Sequence, residues 1–143
     1  MPTASRATAA ARVQAQAAQR DESKRATLEA LLGKRTKEQE FTIQLNGSKS
    51  TLLMRAIGAR DYDALLTKYP PTPDQKEQGA AFDIHSFGPA LLARSCIEPE
   101  VSEKEWATIW NSQAWTRGEV MDLFWGALEL TNKGLDLAPI EAD

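Results

Sequence analysis

Residues 41–58 read FTIQLNGSKSTLLMRAIG, and this stretch decides the fold class. Apolar and polar residues alternate over residues 41–45, which is the pattern of a half-buried strand. The Asn46-Gly47 dipeptide that follows readily adopts the positive φ angles of a tight hairpin turn, and residues 51–57 supply a second apolar strand. A two-residue and a four-residue loop both place the same five side chains on one buried face, namely Phe41, Ile43, Leu45, Leu52 and Met54. We therefore predict a β-hairpin over residues 40–57 that helices must cover, because two strands alone are barely stable.

Helical patterns precede and follow the hairpin. Upstream, residues 21–38 form a predicted helical lead-in, with Leu28, Leu31 and Leu32 at the spacing of a single helix face. Downstream, residues 59–69 place apolar and aromatic side chains on one side, and Pro70-Pro71 ends this helix.

Residues 72–97 contain two further helix starts. A short, polar helix begins at Thr72-Pro73, where proline occupies the first turn. The next helix has an apolar body that we expect to extend to Ile97, and either Asp83 or Ser86 caps its start. Pro89 favours the later start, because proline is tolerated in the first turn of a helix.

Two capping boxes predict the starts of the last two helices. They lie at residues 102–105 and 116–119, where Ser or Thr is followed three residues later by Glu. The second box opens the longest apolar helix, which Gly134 ends. The sequence thus predicts an α+β domain over residues 39–137, in which the hairpin packs on a small bundle of four or five short helices within residues 59–134. Residues 1–20 form a flexible, basic, alanine-rich arm in this scheme, and residues 138–143 form a C-terminal tail.

Charge is distributed unevenly along the chain. Residues 1–38 hold eight Lys or Arg against four Asp or Glu, a net charge of +4, whereas the other 105 residues hold nine against sixteen, a net charge of −7. A net charge of +4 is too weak to indicate nucleic-acid binding, which needs several clustered phosphate contacts. The basic arm fits a mobile segment, a helix that forms on a partner, or an organellar transit peptide. No stretch is long and apolar enough to predict a membrane span.

The residues that usually carry catalysis are sparse. His85 is the only histidine and Cys96 the only cysteine, so the chain cannot form an intramolecular disulfide. Neither residue lies in a recognisable nucleophile or metal motif, and the glycines do not form a phosphate-binding loop. We therefore expect a protein that is not an enzyme, with no catalytic residues, no cofactor and no metal.

The tryptophans are the remaining candidates for function. Three of the four lie within residues 106–115, and tryptophan is enriched at the hot spots of protein interfaces. Large rings also complete the thin core of a small domain. The last helix carries apolar residues on more than one side, so either it is central to the bundle or its far side meets another chain. The candidate partner-binding residues are Trp106, Trp110, Trp115, Met121, Phe124, Trp125 and Leu128.

Residues 55–137 resemble the tail assembly chaperones of long-tailed bacteriophages. The resemblance is carried by the order of short pieces rather than by an active site. These pieces are RAIG at 55–58, RDYDAL at 60–65, PPT at 70–72, AF at 81–82, PALLA at 89–93, CIEP at 96–99, Trp110, WTRGEV at 115–120, LF at 123–124, AL at 127–128 and Asn132. The hairpin matches only loosely, and the N-terminal arm does not match.

This resemblance implies non-catalytic work in the cytoplasm of an infected bacterium. Proteins of this family bind the long tape measure protein, keep it soluble, help tail tube subunits assemble around it, and are absent from the mature virion. Further partners would be the tail tube protein and a longer, frameshifted form of the same chain. A homo-oligomer is compatible with this role, and neither nucleic acid nor a membrane is expected as a partner. The alternatives are a structural virion protein, such as a tail or head-tail connector subunit, and a phage-encoded adaptor that binds a host protein.

Overall fold

A computed structural model describes residues 25–135 and residue 137 of the chain. The predicted arm over residues 1–20 and the predicted tail over residues 138–143 lie outside the described residues. The chain divides into two compact units, Met1–Arg35 and Thr36–Asp143, each of which is described by itself. In the described residues, six helices and three strands form an α+β fold, which confirms the predicted fold class.

The described part of the first unit contains one short helix, α1 (Leu28–Leu32). The side chain of Thr27 caps its start by accepting the backbone N–H of Ala30 at 3.0 Å, and Gly33 caps its end. The predicted helical lead-in over residues 21–38 begins outside the described residues, and within them it is helical only over Leu28–Leu32. Its three leucines do share a helix, but all three are exposed, and no apolar residue follows Gly33 to extend a packed face before the first strand.

The hairpin of the second unit consists of β1 (Glu38–Leu45) and β2 (Ser48–Arg55). The strands are antiparallel, and Phe41 lies opposite Leu52. Asn46 and Gly47 both have positive φ angles, 51° and 84°, so the loop has two residues and the four-residue alternative is excluded. Four of the five side chains predicted for the inner face are buried or half-buried, but Leu45 is 39% exposed, because it lies at the turn, beyond the helices that cover the hairpin.

A third strand, β3 (Cys96–Glu98), pairs antiparallel with β2 and completes a sheet of order β1-β2-β3. This strand was not predicted, and the expectation that Ile97 belongs to the preceding helix is wrong. The Ser95 hydroxyl, which is buried, donates to the carbonyl oxygen of Arg55 at 2.6 Å. The hydroxyl thus fixes the end of the helix beside β2, where the chain changes to an extended conformation.

The remaining helices are α2 (Ala59–Lys68), α3 (Pro73–Glu77), α4 (Ile84–Ser95), α5 (Glu103–Trp110) and α6 (Arg117–Asn132). Both predicted capping boxes are present, at the starts of α5 and α6, and a third lies at the start of α3. Helix α4 starts after Asp83 rather than Ser86, because the Asp83 carboxylate accepts the backbone N–H of His85 at 3.3 Å and the Ser86 hydroxyl at 3.0 Å. Pro89 consequently lies inside the helix, where it has no N–H to donate to the carbonyl of His85.

One core connects the sheet with the helices of the second unit. Helix α4 lies at its centre, with Phe87, Leu91 and Leu92 fully buried. Helix α6 covers the hairpin, and the backbone N–H of Ile57 donates to the Thr131 hydroxyl of α6 at 3.3 Å. The buried apolar side chains of this core are Leu52, Met54, Ile57, Leu65, Phe87, Ala90, Leu91, Leu92, Cys96, Trp106, Leu123, Phe124, Ala127 and Leu130.

Candidate protein-binding surface

The seven candidate partner-binding residues do not share one surface. Trp106 is only 4% exposed and Phe124 is fully buried, so both belong to the core. Their assignment to a binding surface is corrected on this ground, since a partner cannot touch a ring that the chain itself encloses. The five other candidates remain at least partly accessible: Trp110, Trp115, Met121, Trp125 and Leu128.

The Trp106 ring fills part of the core, but its polar N–H is buried with it. Its indole N–H is buried and finds no hydrogen-bond partner among the described residues. A buried donor without a partner typically costs about 1–3 kcal/mol. The ring therefore contributes to stability through its buried apolar surface, as expected of a core residue rather than of a binding-site residue.

Phe124 is the centre of an aromatic cluster that supports the surface of α6. The rings of Phe82, Phe87, Trp110 and Trp125 all lie 5.6–6.2 Å from its ring centroid. Three of these four pairs are edge-to-face, an arrangement that stabilises aromatic pairs beyond their buried area. The half-exposed ring of Trp125 therefore packs against the buried ring of Phe124.

Trp110 is half-buried and held at both ends of its indole. Its Nε1–H donates to Nδ1 of His85 at 3.4 Å, a long hydrogen bond between α5 and α4. The six-membered part of the ring lies directly over the backbone of Gly88, where an added Cβ would come within 2.5 Å of the ring. Helices α4 and α5 thus approach closely because residue 88 has no side chain.

Helix α6 carries two apolar stripes. The buried stripe consists of Val120, Leu123, Phe124, Ala127 and Leu130. The second, which we call the outer stripe, consists of Met121, Trp125 and Leu128, at the i, i+4, i+7 spacing of one helix face. Met121 and Leu128 are half-buried against the core, whereas Trp125 is 50% exposed. The outer stripe is thus an apolar strip with a large aromatic ring at its middle.

Trp115 lines a different feature, which we call the β1–α6 groove. This groove has a volume of about 350 Å³ and lies between the first strand and the first half of α6. Its apolar lining comes from Phe41, Ile43, Met54, Trp115, Leu123 and Gly126, and its two ionisable residues are Glu119 and Asp122. Sequence reasoning missed this groove. Its shape depends on β1 packing beside α6, and no local sequence pattern records that contact.

A larger cavity of about 610 Å³ lies at the other end of the sheet, beside β3. Its lining includes Arg55, Arg94, Asp61 and Glu100, so both signs of charge are present, and Cys96 lies at its wall. The Cys96 thiol donates to the carbonyl oxygen of Pro99 at 3.2 Å. Burial raises the pKa of this thiol, which disfavours the reactive thiolate form.

The described residues contain no group of three or more His, Cys, Asp and Glu side chains that could hold a metal ion. Within the same part of the chain, no helix has the length and apolar character to cross a membrane. Neither a family model nor a curated protein nor a solved structure matches this chain.

Proposed function

We propose that this protein is a tail assembly chaperone of a long-tailed bacteriophage, which binds the tape measure protein without catalysing a reaction. The proposal is supported by the order of the short pieces shared with that family over residues 55–137. The single structural observation in its favour is Trp125, a large ring that the fold leaves half exposed at the middle of the outer stripe of α6.

The outer stripe has the properties of an interface hot spot. Tryptophan is among the residues most enriched at hot spots, where apolar surroundings exclude water from the contact. Met121 and Leu128 flank Trp125 on the same face, and methionine adapts its shape to different partners. Since Phe124 supports Trp125 from below at a centroid distance of 5.6 Å, little side-chain freedom would be lost on binding.

A tape measure protein is long and helical, and exposed apolar helix faces aggregate unless they are covered. An amphipathic helix of this partner would lie alongside α6 and bury the outer stripe, as two helices bury their facing stripes. Trp110, close to Phe124, would lie at the margin of the contact. Trp106 and Phe124 would contribute as the core that holds α6 in place.

Co-expression with the tape measure protein of the same phage tests this proposal. We expect the wild-type chain to keep the tape measure protein soluble and to co-purify with it. Trp125→Ala should reduce both, whereas Leu45→Ala, which truncates an exposed leucine at the hairpin turn, should reduce neither. Circular dichroism of both variants would check that they fold.

Purified virions separate this proposal from its alternatives. A tail assembly chaperone should be absent from them, whereas a tail or connector subunit would be present in stoichiometric amount. If the chain is found in virions, or if the tape measure protein is equally soluble without it, the proposed function is wrong. Capture of a host protein with no effect on the tape measure protein would instead support an adaptor.

A further inference from the structure

The first strand of the sheet is an edge strand, and its free edge borders the β1–α6 groove. In the described residues, β1 pairs with β2 on one side only. The groove is lined by four consecutive residues of β1, from Phe41 to Gln44. Successive side chains of a strand point to opposite faces. A groove that touches four in a row therefore reaches the backbone of the strand as well as its inner face, where Phe41 and Ile43 lie.

The hydrogen-bond register shows which backbone groups face this edge. The carbonyl oxygen of Lys37 accepts the N–H of Ala56 at 2.8 Å, so residues 37 and 56 form a hydrogen-bonded pair. Hydrogen-bonded and non-hydrogen-bonded pairs alternate along an antiparallel ladder. Phe41 and Ile43 therefore bond to β2, whereas Glu40, Thr42 and Gln44 direct their N–H and C=O groups away from it, along the free edge.

The floor of the groove beside this edge is apolar, and the ionisable residues that line it are acidic. Phe41, Ile43 and Leu123 contribute apolar surface, and among the described residues no Lys, Arg or His lines the groove. One oxygen of the Glu119 carboxylate accepts the backbone N–H of Thr116 at 2.8 Å, so this group is already engaged in capping α6. Asp122 is exposed, and its carboxylate makes no hydrogen bond to another described side chain.

We infer that β1 accepts an additional strand from a partner protein, in the form of an extended segment with apolar residues at alternate positions and Lys or Arg beside them. The edge N–H and C=O groups of β1 would pair with the segment's backbone, and alternate side chains would enter the groove, as in other cases of strand addition. The basic residues would pair with Asp122 and Glu119.

The negative charge of the groove favours a basic partner segment over a second copy of the chain. Strand β1 has two carboxylates, Glu38 and Glu40, and no Lys or Arg, so self-pairing of two β1 strands would add negative charge beside the carboxylates of the groove. Like charges brought together at an interface oppose association. A basic, extended partner segment pairs both with the edge N–H and C=O groups of β1 and with the groove carboxylates. This inference does not depend on the partner proposed for the outer stripe.

A synthetic peptide tests strand addition directly. The probe is a capped nonapeptide that alternates valine and threonine and carries lysine at both ends, titrated into the ¹⁵N-labelled protein. We expect saturable binding, with the largest shifts at the amides of Glu40, Thr42 and Gln44. No saturable binding at millimolar peptide, or shifts confined to α6, would overturn the inference.

Backbone methylation of the peptide distinguishes a strand from a helix. Alternate amides of a strand point to opposite edges, so N-methylation of one alternate set should abolish binding and methylation of the other set should leave it intact. A bound helix would lose binding with either set, since all its amides point along one axis. Equal sensitivity to both sets would therefore contradict the inference.

Two pairs of protein variants complete the test. Thr42→Pro removes an outward N–H that bonds to nothing in β2, and should weaken peptide binding by about tenfold, whereas Thr42→Val keeps the N–H and should bind as wild type. Asp122→Asn should weaken binding of the lysine peptide, but Asp74→Asn, which removes an exposed carboxylate of α3, should not. If Thr42→Pro proves poorly folded, the methylated peptides still decide the question. Equal binding by Thr42→Pro and Thr42→Val would refute the inference.

Discussion

Both stripes of α6 are apolar, but one is buried by the fold and the other is left partly exposed. Phe124, in the buried stripe, has no exposed surface, whereas the next residue, Trp125, is 50% exposed. The buried stripe faces α4 and the sheet, which enclose it, while the outer stripe has core on one flank only. Hydrophobicity therefore identifies residues that need a partner, and only the tertiary fold decides whether that partner is the chain itself or another molecule.

The largest difference between the stripes should appear in stability. Phe124→Ala removes a fully buried ring that contacts four other aromatic side chains. We expect the free energy of unfolding to fall by about 3–5 kcal/mol, as for other buried Phe to Ala substitutions. Urea denaturation followed by circular dichroism measures this loss. A decrease of less than about 1 kcal/mol would mean that the buried stripe is not the core of the domain.

Two glycines should respond to alanine in opposite directions. At Gly88 an added Cβ would lie 2.5 Å from the Trp110 ring, which is held by His85, so the ring must move. Such overpacking costs about 1–3 kcal/mol, which equals or exceeds the roughly 1 kcal/mol that alanine contributes in a helix. At Gly126 the Cβ would meet Phe41 at 3.4 Å, which is close to ordinary contact. Thermal unfolding should thus show a lower Tm for Gly88→Ala and an unchanged or higher Tm for Gly126→Ala, and a rise for both variants would contradict the close contact at Gly88.

A smaller, pH-dependent effect should arise at the start of α4, which packs against the buried stripe. The side-chain amide of Gln75, donating at 3.0 Å, is the main cause that holds the pKa of Asp83 below its ordinary value of 3.8, and Ser86 adds to it. A carboxyl whose pKa is lowered by folding stabilises the fold above its unfolded pKa, and this contribution is lost as pH falls through the folded pKa. The stability of wild type relative to Asp83→Asn should therefore decrease as pH is lowered from above 3.8 to well below it.

Asparagine is also a good helix N-cap, so this comparison isolates the charge of Asp83 rather than the capping itself. Glu105 also has a lowered pKa, because it accepts the Ser102 backbone N–H, and it titrates in both proteins, so its contribution cancels in the difference. Urea denaturation of both proteins across this pH range would measure the effect. Parallel pH curves would show that the Asp83 carboxylate does not stabilise the start of α4.

The elements that the sequence predicted correctly are those fixed by neighbouring residues. Asn46-Gly47 defines a two-residue turn by its own φ preferences, and each capping box joins residues three positions apart. Such interactions require no knowledge of the rest of the fold. The hairpin, α2, the helix starts at Ser102 and Thr116, and the α+β class could therefore be predicted in advance.

The errors concern residues whose surroundings come from distant parts of the chain. Strand β3 forms because Cys96 pairs with Met54 and Glu98 pairs with Leu53, and these β2 residues lie more than forty positions earlier in the chain. Asp83 outcompetes Ser86 as a cap partly because Gln75 of the preceding helix donates to it. For the candidate site, the sequence indicated that the last helix is apolar on more than one side. Only the fold separates the outer stripe from the buried one and shows that Trp106 is enclosed and that β1 is an edge strand.

The most direct test of the proposed role is the affinity of the folded protein for a soluble helical segment of the tape measure protein, measured by isothermal titration calorimetry for wild type, Trp125→Ala and Leu45→Ala. We expect Trp125→Ala to weaken association by about 2 kcal/mol or more, as hot-spot truncations do. Its free energy of unfolding should fall by only about 0.5–1.5 kcal/mol, the contribution of an edge-to-face pair such as the one with Phe124. Leu45→Ala should bind as wild type. If Trp125→Ala binds with wild-type affinity, or if its weaker binding is matched by an equal loss of stability, the outer stripe is not the binding surface.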